Sequence, residues 1–205
     1  MSFIKSLSAL ALLAVALQAQ AGTETVTATQ QTPAGGAQSI SFEAASLGGP
    51  LKGYTEAGVL FNGGWVYNTS IDSVAAQPVG GSGHYVAIGG PSNTLNVSFA
   101  PGTSYFSFLW GTADSYNTLV VTTNLGSYTY IPGTSAGLPA DNAAHYFNWF
   151  ASAGETITGL SLQSSSPAFE VDNFAVAVVP EPASVAMLLA GLVLIGSVSR
   201  RRRIG

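Results

Sequence analysis

From residue 39 to residue 178, apolar and polar side chains alternate with a period of two, as in strands that bury one face. In Thr94–Phe99 the apolar set is Leu95, Val97 and Phe99. In Tyr105–Trp110, Phe106, Phe108 and Trp110 share one face, and Tyr105, Ser107 and Leu109 take the other. The same pattern selects Ser39–Glu43, Val59–Phe61, Trp65–Tyr67, His84–Ile88, Tyr116–Thr122, Ser127–Ile131, His145–Phe150, Ile157–Leu162 and Phe169–Val178. Gly, Pro, Asn and Asp punctuate the gaps, as in Gly48-Gly49-Pro50 and Gly89-Gly90-Pro91, where tight turns need their backbone freedom. No helical period of useful length intervenes. About ten short, closely spaced strands predict an all-β fold, an antiparallel β-sandwich of jelly-roll or carbohydrate-binding-module-like type. The last strand changes phase. Phe169 and Val171 have one parity, and Phe174, Val176 and Val178 the other. A β-bulge between Asp172 and Asn173 is expected, and bulges re-aim side chains.

Two apolar runs stand apart from this pattern. At the front, Lys5 precedes the run Leu7–Leu17 and the small-x-small triplet Ala19-Gln20-Ala21. A basic start, a short apolar core and such a triplet make a secretory signal peptide over residues 1–21, removed after Ala21 by signal peptidase. At the back, Val179-Pro180-Glu181-Pro182 precedes an apolar stretch, Val185–Val198, and then Arg200, Arg201, Arg202 and Arg203. As a helix, Val185–Val198 spans roughly 21 Å, short of the ~30 Å hydrocarbon core. Extending it to residues 183–199 brings it close, with arginines able to reach the headgroups. The positive-inside rule puts the arginines in the cytoplasm and the domain across the membrane. The prolines break any helix before Ala183 and leave residues 180–182 extended. The chain therefore divides into a signal peptide (1–21), a polar flexible arm (22–38), a β-sandwich domain (39–179) and a terminal segment (180–205), with a transmembrane helix at 183–199 and an Arg-rich tail at 200–203.

Charge sharpens the picture. Only 8% of residues are charged, and between Gly22 and Val179 Lys52 stands alone against nine acids, a net of −8. Phosphate binding needs clustered Lys and Arg, so nucleic acid is excluded as a partner. An acidic domain suits cations, or simply solubility. Absence of cysteine rules out disulfides, thiol nucleophiles and thiolate metal sites.

Pro180-Glu181-Pro182, the apolar Val185–Val198 and Arg200–Arg203 stand in the order of the PEP-CTERM sorting signal of Gram-negative bacteria, which they closely resemble over about 26 residues. The resemblance implies recognition by an exosortase, a membrane protease-transpeptidase, with cleavage near the motif. A permanent single-pass anchor is the alternative. Within the domain, His84-Tyr85-Val86-Ala87-Ile88-Gly89-Gly90, Tyr105–Asn117 and Phe169-Glu170-Val171-Asp172-Asn173 follow one another. This series resembles exosortase-dependent surface proteins with a "YFGxxWGSxDxYN"-like segment and a closing "FExDN" strand. Thr112-Ala113 stands where that group often has Ser and a β-branched residue. The group has no assigned enzyme activity, so the resemblance speaks for location more than chemistry.

Catalysis finds little support in the residues. Gly80-Gly81-Ser82-Gly83-His84 is a poor match to a nucleophile elbow, because its last position is His84 and no strand-turn-helix surrounds it. Glu170 and Asp172 could share a strand face like the carboxylates of a glycosidase. The pattern E-x-D-x-x-E, however, ends here on Ala175. His84 and His145 are the only histidines, too few for a typical His-based zinc site.

Two binding sites are expected instead. By analogy with carbohydrate-binding jelly rolls, Phe42-Glu43 and Asp172-Asn173 place Glu43, Asp172 and Asn173 around a structural Ca²⁺, a hard cation that takes six to eight oxygens. A bulge braced by Asn173 without metal is the alternative. Trp65, Asp114, Tyr116 and Asn117 form a candidate glycan site, aromatic faces stacking on sugars and amide or carboxylate groups bonding hydroxyls. Against it, Trp110 shares parity with core residues, and Asp114 and Asn117 could simply shape a turn. The expected protein is non-enzymatic and exported. It passes through an inner-membrane intermediate to the cell surface, outer membrane or extracellular matrix. There it is structural or adhesive in exopolysaccharide or biofilm, or else a carbohydrate-binding module with a specific glycan.

Overall fold

A computed structural model describes residues 22–33 and 35–178. The signal-peptide segment, Pro180, Glu181 and Pro182, and the expected transmembrane segment 183–199 lie outside the described residues. Thirteen strands and no helix occur among the described residues: β1 (Thr23–Thr27), β2 (Gln38–Ile40), β3 (Leu51–Glu56), β4 (Val59–Gly63), β5 (Trp65–Tyr67), β6 (Tyr85–Ile88), β7 (Thr94–Ser98), β8 (Thr103–Trp110), β9 (Asn117–Thr123), β10 (Ser127–Tyr130), β11 (His145–Phe150), β12 (Ile157–Ser164) and β13 (Phe169–Val178). They make two antiparallel sheets. One runs β1-β11-β8-β13-β6-β5, with β2 also paired to β13, and the other runs β10-β9-β12-β7-β4-β3.

One apolar core holds both sheets, and its centre is aromatic. Phe61 of β4 meets Phe174 of β13 edge-on at 5.6 Å, joining the two layers. Phe108 stacks on Phe174 at 5.6 Å and on Phe147 at 5.8 Å. Such offset and edge-on pairs add to what burial alone contributes. Trp110 belongs to this core: it is fully buried, lies flat on Phe169 at 4.1 Å, and donates its Nε1–H to the Thr112 carbonyl.

β13 is paired on both sides and carries an irregularity. Asp172 pairs with Leu109 and Ala175 with Ser107 on β8, so β13 has one extra residue there. Asn173 takes the left-handed conformation, φ 46°, which Asn tolerates better than most residues. The extra residue restores parity, so Phe169, Val171, Phe174 and Val176 all enter the core. It also marks a change of neighbour. β6 pairs with Phe169–Val171 and β2 with Phe174–Val176.

Two strands lack the alternation seen elsewhere. Thr23–Thr27, within the segment expected to be a flexible arm, is an edge strand on β11. Polar bonds secure this N-terminal segment: Asn148 donates from Nδ2 to Thr27 Oγ1 at 3.0 Å and accepts from the Gln31 amide at 2.8 Å. β3 contains Gly53, and its register to β4 shifts between Lys52 and Tyr54, which breaks the period in the sequence.

Phe174 touches both layers, so truncating it leaves a cavity that neither sheet can close alone. Phe174→Ala is expected to lower unfolding free energy by about 3–5 kcal/mol, while Val178→Ala, at a half-exposed position, changes it by less than about 0.5 kcal/mol. Equilibrium denaturant unfolding of both variants checks this.

Candidate functional site

Where β13 changes partner, the sheet has a gap, and backbone amides there need acceptors. Two carboxylates supply them. Asp172 accepts from the Ser82 amide at 3.1 Å and the Asn173 amide at 2.6 Å. Glu43, three residues past β2, accepts from the His84 amide at 2.8 Å. The loop between them is glycine-rich for a steric reason: a Cβ at Gly81 would collide with the Asp172 carboxylate, and one at Gly83 with that of Glu43. His84 donates from Nδ1 to the Phe42 carbonyl at 3.0 Å, and its Nε2 lies 4.0 Å from Glu43. Asn173 braces the same place, donating from Nδ2 to the Gly80 carbonyl (3.2 Å) and the Tyr146 hydroxyl (2.8 Å).

The expected trio Glu43, Asp172 and Asn173 is therefore brought together around residues 80–84. Asp172 is 1% exposed, whereas Glu43 faces solvent. Burial pushes the Asp172 carboxyl up to about 6, and the Glu43 charge adds to the rise against the lowering by the two amides. Two carboxylates suit Ca²⁺ in kind and in charge, with spare lone pairs beyond the amide bonds. Carbonyl groups and water would have to complete the shell. Among the described residues, no three His, Asp or Glu side chains converge as a metal cluster.

Glu170 lies two residues earlier on the same outer face of β13. Segment 68–84 folds over that face and buries it to 3% exposure. Glu170 accepts from the Ala76 amide at 2.9 Å and the Thr112 hydroxyl at 2.8 Å. Desolvation raises its pKa. It forms part of the lining of an open cavity of about 420 Å³, together with Asp72, Asp114, Tyr116, Asn142 and neighbours. Tyr116 donates its hydroxyl to Asp114 at 2.8 Å. A second cavity of about 360 Å³, bounded by Pro78, Val79 and Ala143, shares Ala76, Thr112 and Asn142 with the first.

Of the glycan candidates, Asp114 and Tyr116 line this cavity. Asn117 is fully buried, donating to the Thr112 carbonyl (2.9 Å) and accepting from the Ser164 hydroxyl (2.8 Å), so it shapes the Asp114 turn. Trp65 sits half-buried on β5, paired with Ala87, and is not among the cavity's lining residues. Asp72 and Asn142 were not singled out by sequence. Both lie in loops without period, and the left-handed Asn142 (φ 54°) follows Asp141, a turn-forming pair that was the available signal.

Beyond β13 the chain continues into its terminal segment. Residues 178–203 match the family model for the PEP-CTERM protein-sorting motif. The chain carries a PEP-CTERM motif. That motif indicates exosortase-dependent sorting of an exported protein, by way of a membrane-anchored intermediate to the cell surface. No curated protein and no solved structure matches the chain. The PEP-CTERM match begins at the last residue of β13.

Asp172 also generates a pH dependence. Its carboxyl titrates near 6 in the folded chain and near 3.8 when free, so between those values the folded state binds more protons. The contribution of Asp172 to stability is then full below about pH 4 and is lost as pH rises through 6. In chelator-treated protein, Asp172→Asn should flatten this fall, with Glu170 keeping a residual slope of the same sign. Unfolding free energies of the two proteins between pH 4 and 7 check the difference.

Proposed function

We propose that this PEP-CTERM protein is a non-enzymatic surface or matrix protein of a Gram-negative bacterium. Signal peptidase removes residues 1–21. The expected helix at 183–199 holds an inner-membrane intermediate, and an exosortase acts at Pro180, Glu181 and Pro182. The released domain is structural or adhesive in exopolysaccharide or biofilm. The observation that carries this is the sorting motif at 178–203, which follows the final core strand directly. A cut near Pro182 removes nothing from the described sheets.

A jelly roll is the reading of the fold that the strand order supports. β6 to β13 divide between the sheets in the orders β6-β13-β8-β11 and β7-β12-β9-β10, changing sheet at every step but the β9-β10 hairpin, the double Greek key of that architecture. A non-catalytic role is supported by the carboxylates, since Glu170 and Asp172 are engaged by amides and a hydroxyl of their own chain. Intact mass and fractionation, with and without the exosortase, test the sorting. A surface species lacking residues beyond about Pro182, dependent on the exosortase, is expected. A full-length protein held in the inner membrane in both strains overturns the proposal.

A structural Ca²⁺ between Glu43 and Asp172 belongs to the same proposal, supported by their convergence on one loop and the cost of burying Asp172 charged. Calcium should raise the melting temperature of the wild type at pH 7, and Glu43→Ala should abolish the rise. An equal rise in both proteins refutes the site.

The second reading is a carbohydrate-binding module, favoured by the cavity that joins Asp114 and Tyr116. Saturable glycan binding that Tyr116→Ala weakens, with Trp65→Ala neutral, is expected in titration calorimetry.

A further inference from the structure

The outer faces of the two sheets are in opposite states. On the seven-stranded sheet the outward residues Tyr105, Ser107, Asn148 and Glu170 are buried. The N-terminal segment crosses them, with Gln30 bonded to Ser107 and Gln31 to Asn148, and residues 68–84 cover the rest. On the six-stranded sheet, no described segment covers the outer face. Its outward residues along β4, β7, β9, β10 and β12 are all exposed or half-buried.

That bare face is almost free of charge. Lys52, Asn62, Asn96, Ser161, Val120 and Thr129 stand side by side, one from each strand. Strands about 4.8 Å apart make the row about 24 Å wide. The next row holds Leu60, Ser98 and Thr122. Among the described residues, Asn96, Ser98, Thr122 and Thr129 find no side-chain hydrogen-bond partner. The acids of the domain are all elsewhere. Glu24, Glu170 and Asp172 belong to the other sheet, and Glu43, Asp72, Asp114, Asp141 and Glu155 lie in loops. Glu56 is on β3 but has the inward parity of Tyr54, which packs on the core.

This distribution selects a partner. Stripping water from a charge costs far more than stripping it from a hydroxyl or amide that exchanges one hydrogen bond for another. An uncharged face is therefore readily covered by a partner that offers neutral hydroxyls of its own. A polyanion would find one lysine here and a domain of net −8 around it. A protein partner would need aromatic or arginine anchors, whereas the apolar points in these rows are Leu60 and Val120. A neutral polysaccharide meets every condition.

We propose that the outer face of the six-stranded sheet binds an uncharged polysaccharide, a chain of neutral sugars laid across the strands. Its hydroxyls bond Asn96, Ser98, Thr122 and Thr129, and its C–H faces lie on Leu60 and Val120. This surface is separate from the cavity of Asp114 and Tyr116, and the proposal does not rest on that cavity taking a glycan. Without an aromatic platform each sugar is held weakly, so repeated contacts along the chain supply the affinity.

The test is biolayer interferometry of the full chain in nonionic detergent. The immobilised probes are hydroxyethyl cellulose, dextran and galactomannan, all neutral, and alginate, a polyanion. At least one neutral polymer should bind and alginate should not, and about 0.5 M salt should leave the affinity unchanged. Two double variants, Asn96→Asp with Thr122→Asp and Asn96→Lys with Thr122→Lys, each put two charges on the face. Both should lose several-fold in affinity while melting close to the wild type, because desolvation penalises either sign. Binding of none of the neutral polymers overturns the proposal. So does alginate binding that the lysine variant strengthens, which assigns the face to a polyanion. Neutral-polymer binding that both double variants keep and Tyr116→Ala removes also overturns it, and moves the contact to the cavity.

Discussion

The single extra residue in β13 organises the rest of the molecule. Without it, either Phe169 and Val171 or Phe174 and Val176 would face outward, because a strand's faces alternate strictly. With it, both pairs reach the core, where Phe174 contacts aromatic residues from both sheets. The same irregularity is the point where one neighbour, β6, gives way to another, β2. A gap between two neighbours exposes amides, and the carboxylates of Asp172 and Glu43 close it. Core packing and the candidate cation site are thus two results of one backbone event.

Carboxylates do structural work here that cations often share in other proteins. Glu56 accepts from the Ser41 and Phe42 amides and from the Tyr54 hydroxyl. Glu155 takes the Thr123 and Tyr128 hydroxyls and the Ser152 amide. Glu170 and Asp172 hold segment 68–84 on the outer face of the sheet. Each bond is charge-assisted, stronger than its neutral counterpart, and none needs a Lys or Arg. An acidic composition that looks like a solvated surface in the sequence is, at these positions, a set of acceptors for loop backbone.

Legibility followed burial pattern. Where one face of a strand is apolar, as in Phe106-Phe108-Trp110 or Phe169–Val176, the alternation located the strand, its core face and even the phase change. Where a strand is held by side-chain hydrogen bonds, as β1 is around Asn148, no period existed to read. The carboxylates of the site were visible as residues but not in their roles. Glu170 and Asp172 share an outer face that alternation assigns to solvent, and only the folded-over segment 68–84 buries them. That segment is polar and aperiodic, so neither its path nor the cavity it forms against Tyr116 and Asn142 could be drawn from pattern. Asn117 shows the converse: a polar residue beside an aromatic suggests a sugar contact, yet its amide is consumed by the Thr112 carbonyl and the Ser164 hydroxyl.

The geometry of β13 also relates the sorting motif to the cavity. The cavity lies beside its first residues, with Ala168 and Glu170 in the lining, and the PEP-CTERM motif starts at its last, Val178. Ten residues at about 3.3 Å each separate the two ends by about 30 Å. The cavity therefore lies at the opposite end of the central strand from the start of the motif match. Every residue of its lining precedes Val178, so loss of the sorting segment leaves the lining in place. One strand thus contributes Glu170 to the cavity at its start and Val178 to the motif match at its end, so a change at either end can be made without touching the other.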